Sequence, residues 1–361
     1  MSPLTPRGTV PPMRSKHITV TVSLERVRQS AEELKARTGV ALIAVIKADA
    51  YGLGAEAVAD VLAPVVDEFA FFALDEAREL RRGGLILGPA DADPAEYKAL
   101  RARPTIASIA DAERYRGLAV AISVDTGMQR FGAAPELFDD IRRISGAEEA
   151  FTHGSDPAIA ARLRDICGGR VPVLHAACTG MLAHREAWLD AVRPGLALYR
   201  GAVRVSTRIT HARDTYGPAG YTGFRAPRVG LFPAGYAEGV QPGPVLVNGR
   251  PQHIVEVNMN ASYVTIAPDD HVGDEIVLLG DGLTEAEIAR QTGVREHEAL
   301  CRYTAMGIRH YAGSGTKRPR RVTRTRTAPV EVIAAAADPV VSPETTRPLS
   351  VPQPVTTRDA D

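Results

Sequence analysis

The sequence predicts an α/β fold: a (β/α)8 barrel of the TIM type, followed by a mostly-β domain and a disordered tail. Three observations carry this. Up to about residue 200, short apolar runs alternate with amphipathic helical patterns. Eight such alternations can be counted, the number a closed parallel barrel needs. Beyond about Asp214 the texture changes to short strands separated by Gly, Pro, Asn and Asp. The length, 361 residues, suits about two domains or one large barrel with an addition.

Taken in order, residues 1–16 carry four prolines and no periodicity, which predicts a disordered lead. A helix is predicted over Leu24–Ala36. The barrel strands are predicted at Val40–Ile46, Phe69–Leu74, Leu85–Leu87, Thr105–Ser108, Leu118–Val124, Ala150–Thr152, Val171–Leu174 and Ala191–Val192. Between them, Ala55–Leu62, Asp75–Arg82, Pro135–Ile144 and Ile159–Ile166 read as helices. The second domain is predicted to hold strands at Arg228–Phe232, Val245–Val247, Ile254–Asn258, Tyr263–Ile266 and Glu275–Leu279, with one helix over Thr284–Thr292. The expected division is a lead 1–16, a barrel 17–213, a β domain 214–313 and a tail 314–361. The tail is rich in Pro, Thr and Arg, and Lys317–Arg326 holds six basic residues in ten. It reads as a solvated tail, with a weak anionic-partner role as the alternative.

Composition excludes several classes. The 43 basic and 43 acidic side chains cancel, which argues against a general nucleic-acid binder. No apolar run approaches the roughly 18–20 residues of a membrane helix. The N-terminus lacks the apolar stretch of a secretory signal. The three cysteines, Cys167, Cys178 and Cys301, are widely spaced and form neither a metal-like cluster nor a disulfide framework. The expectation is a reduced, cytoplasmic protein with no metal.

In a barrel of this kind, chemistry sits where strands end. The first strand ends in Lys47, within AVIKADAYGLG. Its stem follows a buried apolar run, so desolvation lowers its pKa and suits it to Schiff-base chemistry. The plainer reading is a lysine reaching solvent from the strand edge. The fifth strand ends at Asp125 with Arg130 beyond, the sixth at His153 and the seventh at His175. Near the eighth, Arg193-Pro194-Gly195 precedes Leu196. The Gly195 and Leu196 amides, with Thr179-Gly180 and Tyr51, could form a phosphate cup, though a structural turn explains the glycine equally well. Tyr236, in PAGYAEG, and Met259, in VNMNAS, are by default packing residues.

These stretches together resemble the alanine racemase family, in register from about Ile18 to Tyr311. AVIKADAYGLG is the most specific element. VDTGMQRFG, VRPGLALY, GYAEG, VNMNAS and IRHY follow in the family's order. The resemblance implies a pyridoxal 5'-phosphate (PLP) enzyme acting on a small amino acid as a homodimer. It implies that Lys47 holds the cofactor covalently and is one catalytic base. Tyr236 would be the other base, donated across the dimer interface. Arg193 would meet the pyridine nitrogen. Tyr51, Thr179, the Gly195 and Leu196 amides and Tyr311 would bind the phosphate. Arg130 would help hold the phenolic oxygen of PLP and the substrate carboxylate, and the backbone at Met259 would also meet the carboxylate. His153 and His175 would support the cofactor site from behind, His175 placed to hydrogen-bond near Arg193 or Tyr236.

Several positions depart from the family pattern. Ser123 stands where a modified lysine often braces the arginine at 130. Cys178-Thr179 replaces Asn-Ser, Tyr199-Arg200 replaces Tyr-Gly, and Met259-Asn260-Ala261 replaces Met-Asp-Gln. GYADG has become GYAEG, and an entrance tyrosine expected between Val240 and Val257 is absent. The departures gather at the substrate end. The readings are therefore an alanine racemase, a racemase or epimerase of another amino acid in specialised metabolism, or a non-catalytic PLP-binding protein.

Overall fold

In the computed structural model, which describes residues 14–312, the first strand, β1 (Ser15–Ser23), lies outside the barrel. A 15-residue helix follows, Leu24–Thr38. Ser23 caps it, its hydroxyl accepting from the Arg26 N–H at 3.2 Å, and Gly39 ends it at φ 67°. Its buried residues Leu24, Val27, Ala31 and Leu34 recur at helical spacing and face the core.

Eight parallel strands then close a barrel in chain order. They are β2 (Ala41–Val45), β3 (Glu68–Phe71), β4 (Gly84–Pro89), β5 (Ala102–Ile106), β6 (Ala121–Ser123), β7 (Glu149–Phe151), β8 (Val173–His175) and β9 (Ala191–Val192). Closure is made by Ala41 opposite Ala191 and Leu42 opposite Val192. Because side chains alternate along a strand, one parity points inward. Ile43, Val45, Ala70, Leu85, Ala121, Phe151 and Ala191 form that interior cluster. The larger core lies outside the strands, beneath the surrounding helices.

The remaining strands are β10 (Val203–Arg208), β11 (His211–Asp214), β12 (Arg228–Phe232), β13 (Gly243–Val247), β14 (Arg250–Val257), β15 (Ser262–Thr265), β16 (Glu275–Leu279) and β17 (Gly307–Ala312). With β1 they form a nine-stranded sheet, ordered β11-β12-β15-β14-β13-β16-β10-β1-β17. β1 sits between β10, antiparallel with Val20 opposite Val205, and β17, parallel with Val22 opposite Tyr311. The sheet thus recruits β1 and β10 from the span expected for the barrel. The sequence reading did not foresee β1, β10, β11, β17 or the helix Glu296–Ala305. β1 is rich in Thr and Ser and abuts the proline-rich lead, so its alternation is weak as a signal. The lead up to residue 13 and the tail 314–361 lie outside the described residues. Among the described residues, no helix is long and apolar enough to cross a membrane.

Candidate active site

The expected polar residues gather at the C-terminal end of the barrel strands. Just past β2, Lys47 opens a left-handed turn. Ala48, Asp49, Ala50 and Tyr51 have φ of 53°, 55°, 52° and 57°. Each such residue with a Cβ costs about 1–2 kcal/mol, so a run of them persists only where its surroundings over-determine it. Here they do. The Ala48 N–H donates to Glu76 Oε1 (2.7 Å), and the Ala55 N–H to Asp49 Oδ1 (2.7 Å). Arg309 Nη2 donates to Asp49 Oδ2 (2.6 Å), and Thr304 Oγ1 to the Tyr51 carbonyl (2.9 Å).

The turn leaves the Lys47 amine half-buried, 6.0 Å from the centre of the Phe72 ring. Desolvation pulls its pKa below the usual lysine value, and the Arg130 and Arg193 charges add to this against Glu76. Arg130 is exposed and makes no ion pair or hydrogen bond among the described residues. Ser123 stands on the inward parity of β6, two residues after Ala121, and no carboxylate braces Arg130. Burial, with the nearby charges of Arg193, Arg130 and Lys47, lowers His153 to about 4.

Arg193 is buried and tightly held. Its Nη1 donates to His175 Nδ1 (2.5 Å) and its Nη2 to the Thr152 carbonyl (2.6 Å). Its guanidinium lies 4.6 Å from the centre of the Phe151 ring, which stacks on His175 at 5.2 Å. His175 Nε2 faces Glu149 Oε1 at 2.7 Å. Glu149 in turn pairs with Arg103 at 2.8 Å, and Arg103 grips both oxygens of Glu68 at 2.7 and 2.8 Å.

Tyr51, at the end of the left-handed turn, meets Gly195. A Cβ at position 195 would stand 2.2 Å from the Tyr51 hydroxyl, so no side chain fits there. Burial raises the Tyr51 phenol further above its ordinary range, which keeps it a neutral donor. The Gly195 and Leu196 N–H groups meet no acceptor among the described residues, while the Ala197 N–H donates to Thr179 Oγ1 at 3.1 Å. Thr179 therefore keeps its own proton to donate. Tyr311 approaches the same turn from β17, its hydroxyl donating to the Leu53 carbonyl at 3.1 Å. Unspent donors around a glycine suit an anionic group such as a phosphate ester. Cys178 keeps one hydrogen bond, from Sγ to the Gly154 carbonyl at 3.3 Å.

Tyr236 and Met259 stand apart, on loops of the nine-stranded sheet, 58% and 57% exposed. None of their contacts reaches Lys47, Tyr51 or Arg193. Their two loops are tied to each other. The Tyr236 N–H donates to the Asn258 carbonyl (3.0 Å) and the Ala237 N–H to the Met259 carbonyl (3.0 Å). Glu238 accepts from the Gly235 N–H (2.7 Å) and from the Asn260 amide (3.1 Å). Asn260 and the longer Glu238 thus form a matched pair, which two facing carboxylates could not.

Sequence reasoning missed Glu68, Arg103 and Glu149. The signal existed: each is a charged residue on the inward parity of a barrel strand, two positions before Ala70, Thr105 and Phe151. It also missed Phe72 and Cys301, which become neighbours of Lys47 only through the fold.

Comparison with known proteins gives a consistent picture. The family model described as alanine racemase, N-terminal domain, matches residues 22–203, and that for the alanine racemase C-terminal domain matches residues 204–311. The biosynthetic alanine racemase of Salmonella typhimurium is 28% identical over 343 residues, covering 78% of this chain and 94% of that protein. Among solved structures, the biosynthetic alanine racemase from Pseudomonas aeruginosa superposes with a TM-score of 0.74 at 25% identity, covering 83% of this chain and 100% of that one. The alanine racemase from D-cycloserine-producing Streptomyces lavendulae shows the same fold, with a TM-score of 0.73 at 22% identity over 84% of this chain and 98% of that one.

Proposed function

This chain belongs to the alanine racemase family of enzymes, and from that premise we propose that it is a PLP-dependent amino-acid racemase, with alanine the first substrate to test. The observation that carries the reading is the convergence of three features at one barrel end: the Lys47 amine, the buried Arg193 and the donor cup of Tyr51, Thr179, Gly195 and Leu196. Bound there, PLP would act as an electron sink for charge left at the substrate Cα.

The chain's own residues divide the remaining work. The cup would hold the phosphate, with Tyr311 beside it once its hydroxyl turns from the Leu53 carbonyl. The Lys47 amine anchors the cofactor aldehyde and moves the Cα proton on one face, its lowered proton affinity fitting it to both tasks. Arg193 can only donate. It would therefore present only donors to the pyridine nitrogen and disfavour a proton there, which would limit the sink and the side reactions that follow from a strong one. Arg130 and the backbone at Met259 orient the substrate carboxylate. Tyr236 moves the proton on the opposite face. Its exposure, and the lack of any contact between it and Lys47 among the described residues, favour a homodimer in which each site takes the tyrosine of the other subunit. Racemisation of a larger or more polar amino acid is the second reading. The unbraced Arg130 and the Asn260–Glu238 pair, both at the substrate end, favour it.

The test is conversion of L-alanine by the PLP-loaded protein, read by chiral analysis beside a panel of other amino acids. Borohydride reduction followed by peptide mass mapping should place the cofactor on Lys47, and Lys47→Ala should lose both label and activity. Because two enantiomers are equal in energy, kcat/KM must match in both directions for every variant. The role of Tyr236 is therefore read by solvent deuterium exchange. Tyr236→Phe should keep exchange at Cα of one enantiomer only, without racemisation. Exchange surviving equally from both would remove Tyr236 from the mechanism. Label retained elsewhere than on Lys47 would overturn the proposal.

A further inference from the structure

A line of charge crosses the barrel interior, where such barrels ordinarily stack bulky aliphatic side chains. It runs from Glu68 on β3 through Arg103 on β5 and Glu149 on β7 to His175 on β8 and Arg193 past β9. Its links are 2.7, 2.8, 2.7 and 2.5 Å long. His175 is 0% exposed, Arg193 3% and Glu149 9%. Burying so many ionised groups is costly and seldom adds net stability over an apolar core, so the line calls for a further reason.

The donor inventory supplies one. Arg193 has no acceptor, so the 2.5 Å contact from its Nη1 requires an unprotonated Nδ1 on His175. The proton of neutral His175 must then sit on Nε2, where only the Glu149 carboxylate is within reach at 2.7 Å. With an anion on Nε2 the ring has one stable orientation and one tautomer. Glu149 is itself held by Arg103, and Arg103 by the bidentate grip on Glu68. The opposite tautomer would turn an N–H toward the guanidinium and push Arg193 from its place. The geometry points to Glu149, braced by Arg103, as a positioning residue. It fixes the tautomer of His175 and thereby the aim of the Arg193 guanidinium at the cofactor ring. This rests on the proposed placement of PLP against Arg193.

The test begins with the protein labelled with 15N-histidine, with and without PLP, the His175 signals being assigned by their loss in His175→Gln. The expected result is the Nε2–H tautomer in both forms. A doubly protonated or Nδ1–H ring at position 175 would overturn the inference. Glu149→Leu and Glu149→Gln are then compared with Glu68→Gln, with native folding checked by circular dichroism. Glu149→Leu should weaken PLP binding by about tenfold or more, by analogy with outer partners of metal ligands. It should also raise formation of pyridoxamine phosphate per racemisation event by a similar factor. Glu149→Gln, which still offers an acceptor to Nε2–H, should recover most of both properties. Glu68→Gln should lower the melting temperature yet leave affinity and partition within about twofold.

If Glu149→Leu changes neither property, or Glu68→Gln changes both as much, the line is a structural core pair only. Should Glu149→Leu fail to fold, the tautomer measurement and the Glu149→Gln partition still decide. Failure of the wild type to bind PLP at Lys47 would instead defeat the proposed function, and is separately visible in the borohydride map.

Discussion

His175 carries the clearest single-residue consequence. Burial, with the Arg193 and Arg103 charges, outweighs the Glu149 carboxylate and lowers its pKa from 6.5 to about 4. Between those values the unfolded chain binds a proton that the folded protein does not. Stability therefore falls as pH drops from about 6.5 toward 4 and is fully present above that window. The shift corresponds to about 3 kcal/mol at the acid end. Glutamine at 175 can donate to Glu149 and accept from Arg193 without titrating. Urea unfolding across pH 4–7 should show His175→Gln losing less stability than the wild type on acidification, by about that amount. Parallel curves for the two proteins would refute the assignment. The charge of this residue is legible only in three dimensions. The sequence gives a histidine at a strand end, but the two arginines that keep it neutral come from β5 and from just past β9.

At the scale of elements, the left-handed turn after Lys47 is the least expected piece of backbone and the one the site depends on most. Ala-Asp-Ala-Tyr would ordinarily avoid positive φ, so nothing local selects this turn. Contacts from beyond the turn to the Asp49 side chain select it, one oxygen taking the Ala55 N–H and the other Arg309. Asp49→Ala should release both, let the turn relax toward ordinary backbone and carry Tyr51 away from Gly195. PLP affinity should fall by about tenfold while helix content stays native, as read by fluorescence titration and circular dichroism. Unchanged affinity would mean that Glu76 and Thr304 hold the turn without help. The same contrast explains which elements were legible. The barrel strands read clearly because most inward and outward positions are apolar, giving the runs Ala41–Val45 in β2 and 69–71 in β3. β1 and β17 did not, since their edges and solvent faces carry Thr, His and Arg. Their place was decided by pairing between residues nearly 290 apart, such as Val22 with Tyr311.

At the scale of the whole molecule, the two halves of the proposed chemistry come from different parts of the fold, the barrel and the loops of the nine-stranded sheet. Beside Lys47, Phe72 and the Phe131 ring packed on it are exposed, at 43% and 52%. Tyr236 and Met259 are exposed on the sheet domain. In the proposed two-fold dimer, two such surfaces on each subunit would satisfy one another, each barrel mouth meeting the other subunit's sheet loops. This makes a sharp forecast. Lys47→Ala and Tyr236→Phe subunits should each be inactive as pure dimers. Unfolding, mixing in equal amounts and refolding would make half of the dimers mixed, by random pairing. In a mixed dimer one site carries both changes and the other carries neither, so activity should return to roughly a quarter of the wild-type value. If both bases came from the same chain, every site would keep one defect and no activity would return. The mixing experiment thus separates a site completed by a partner from one that closes within the chain.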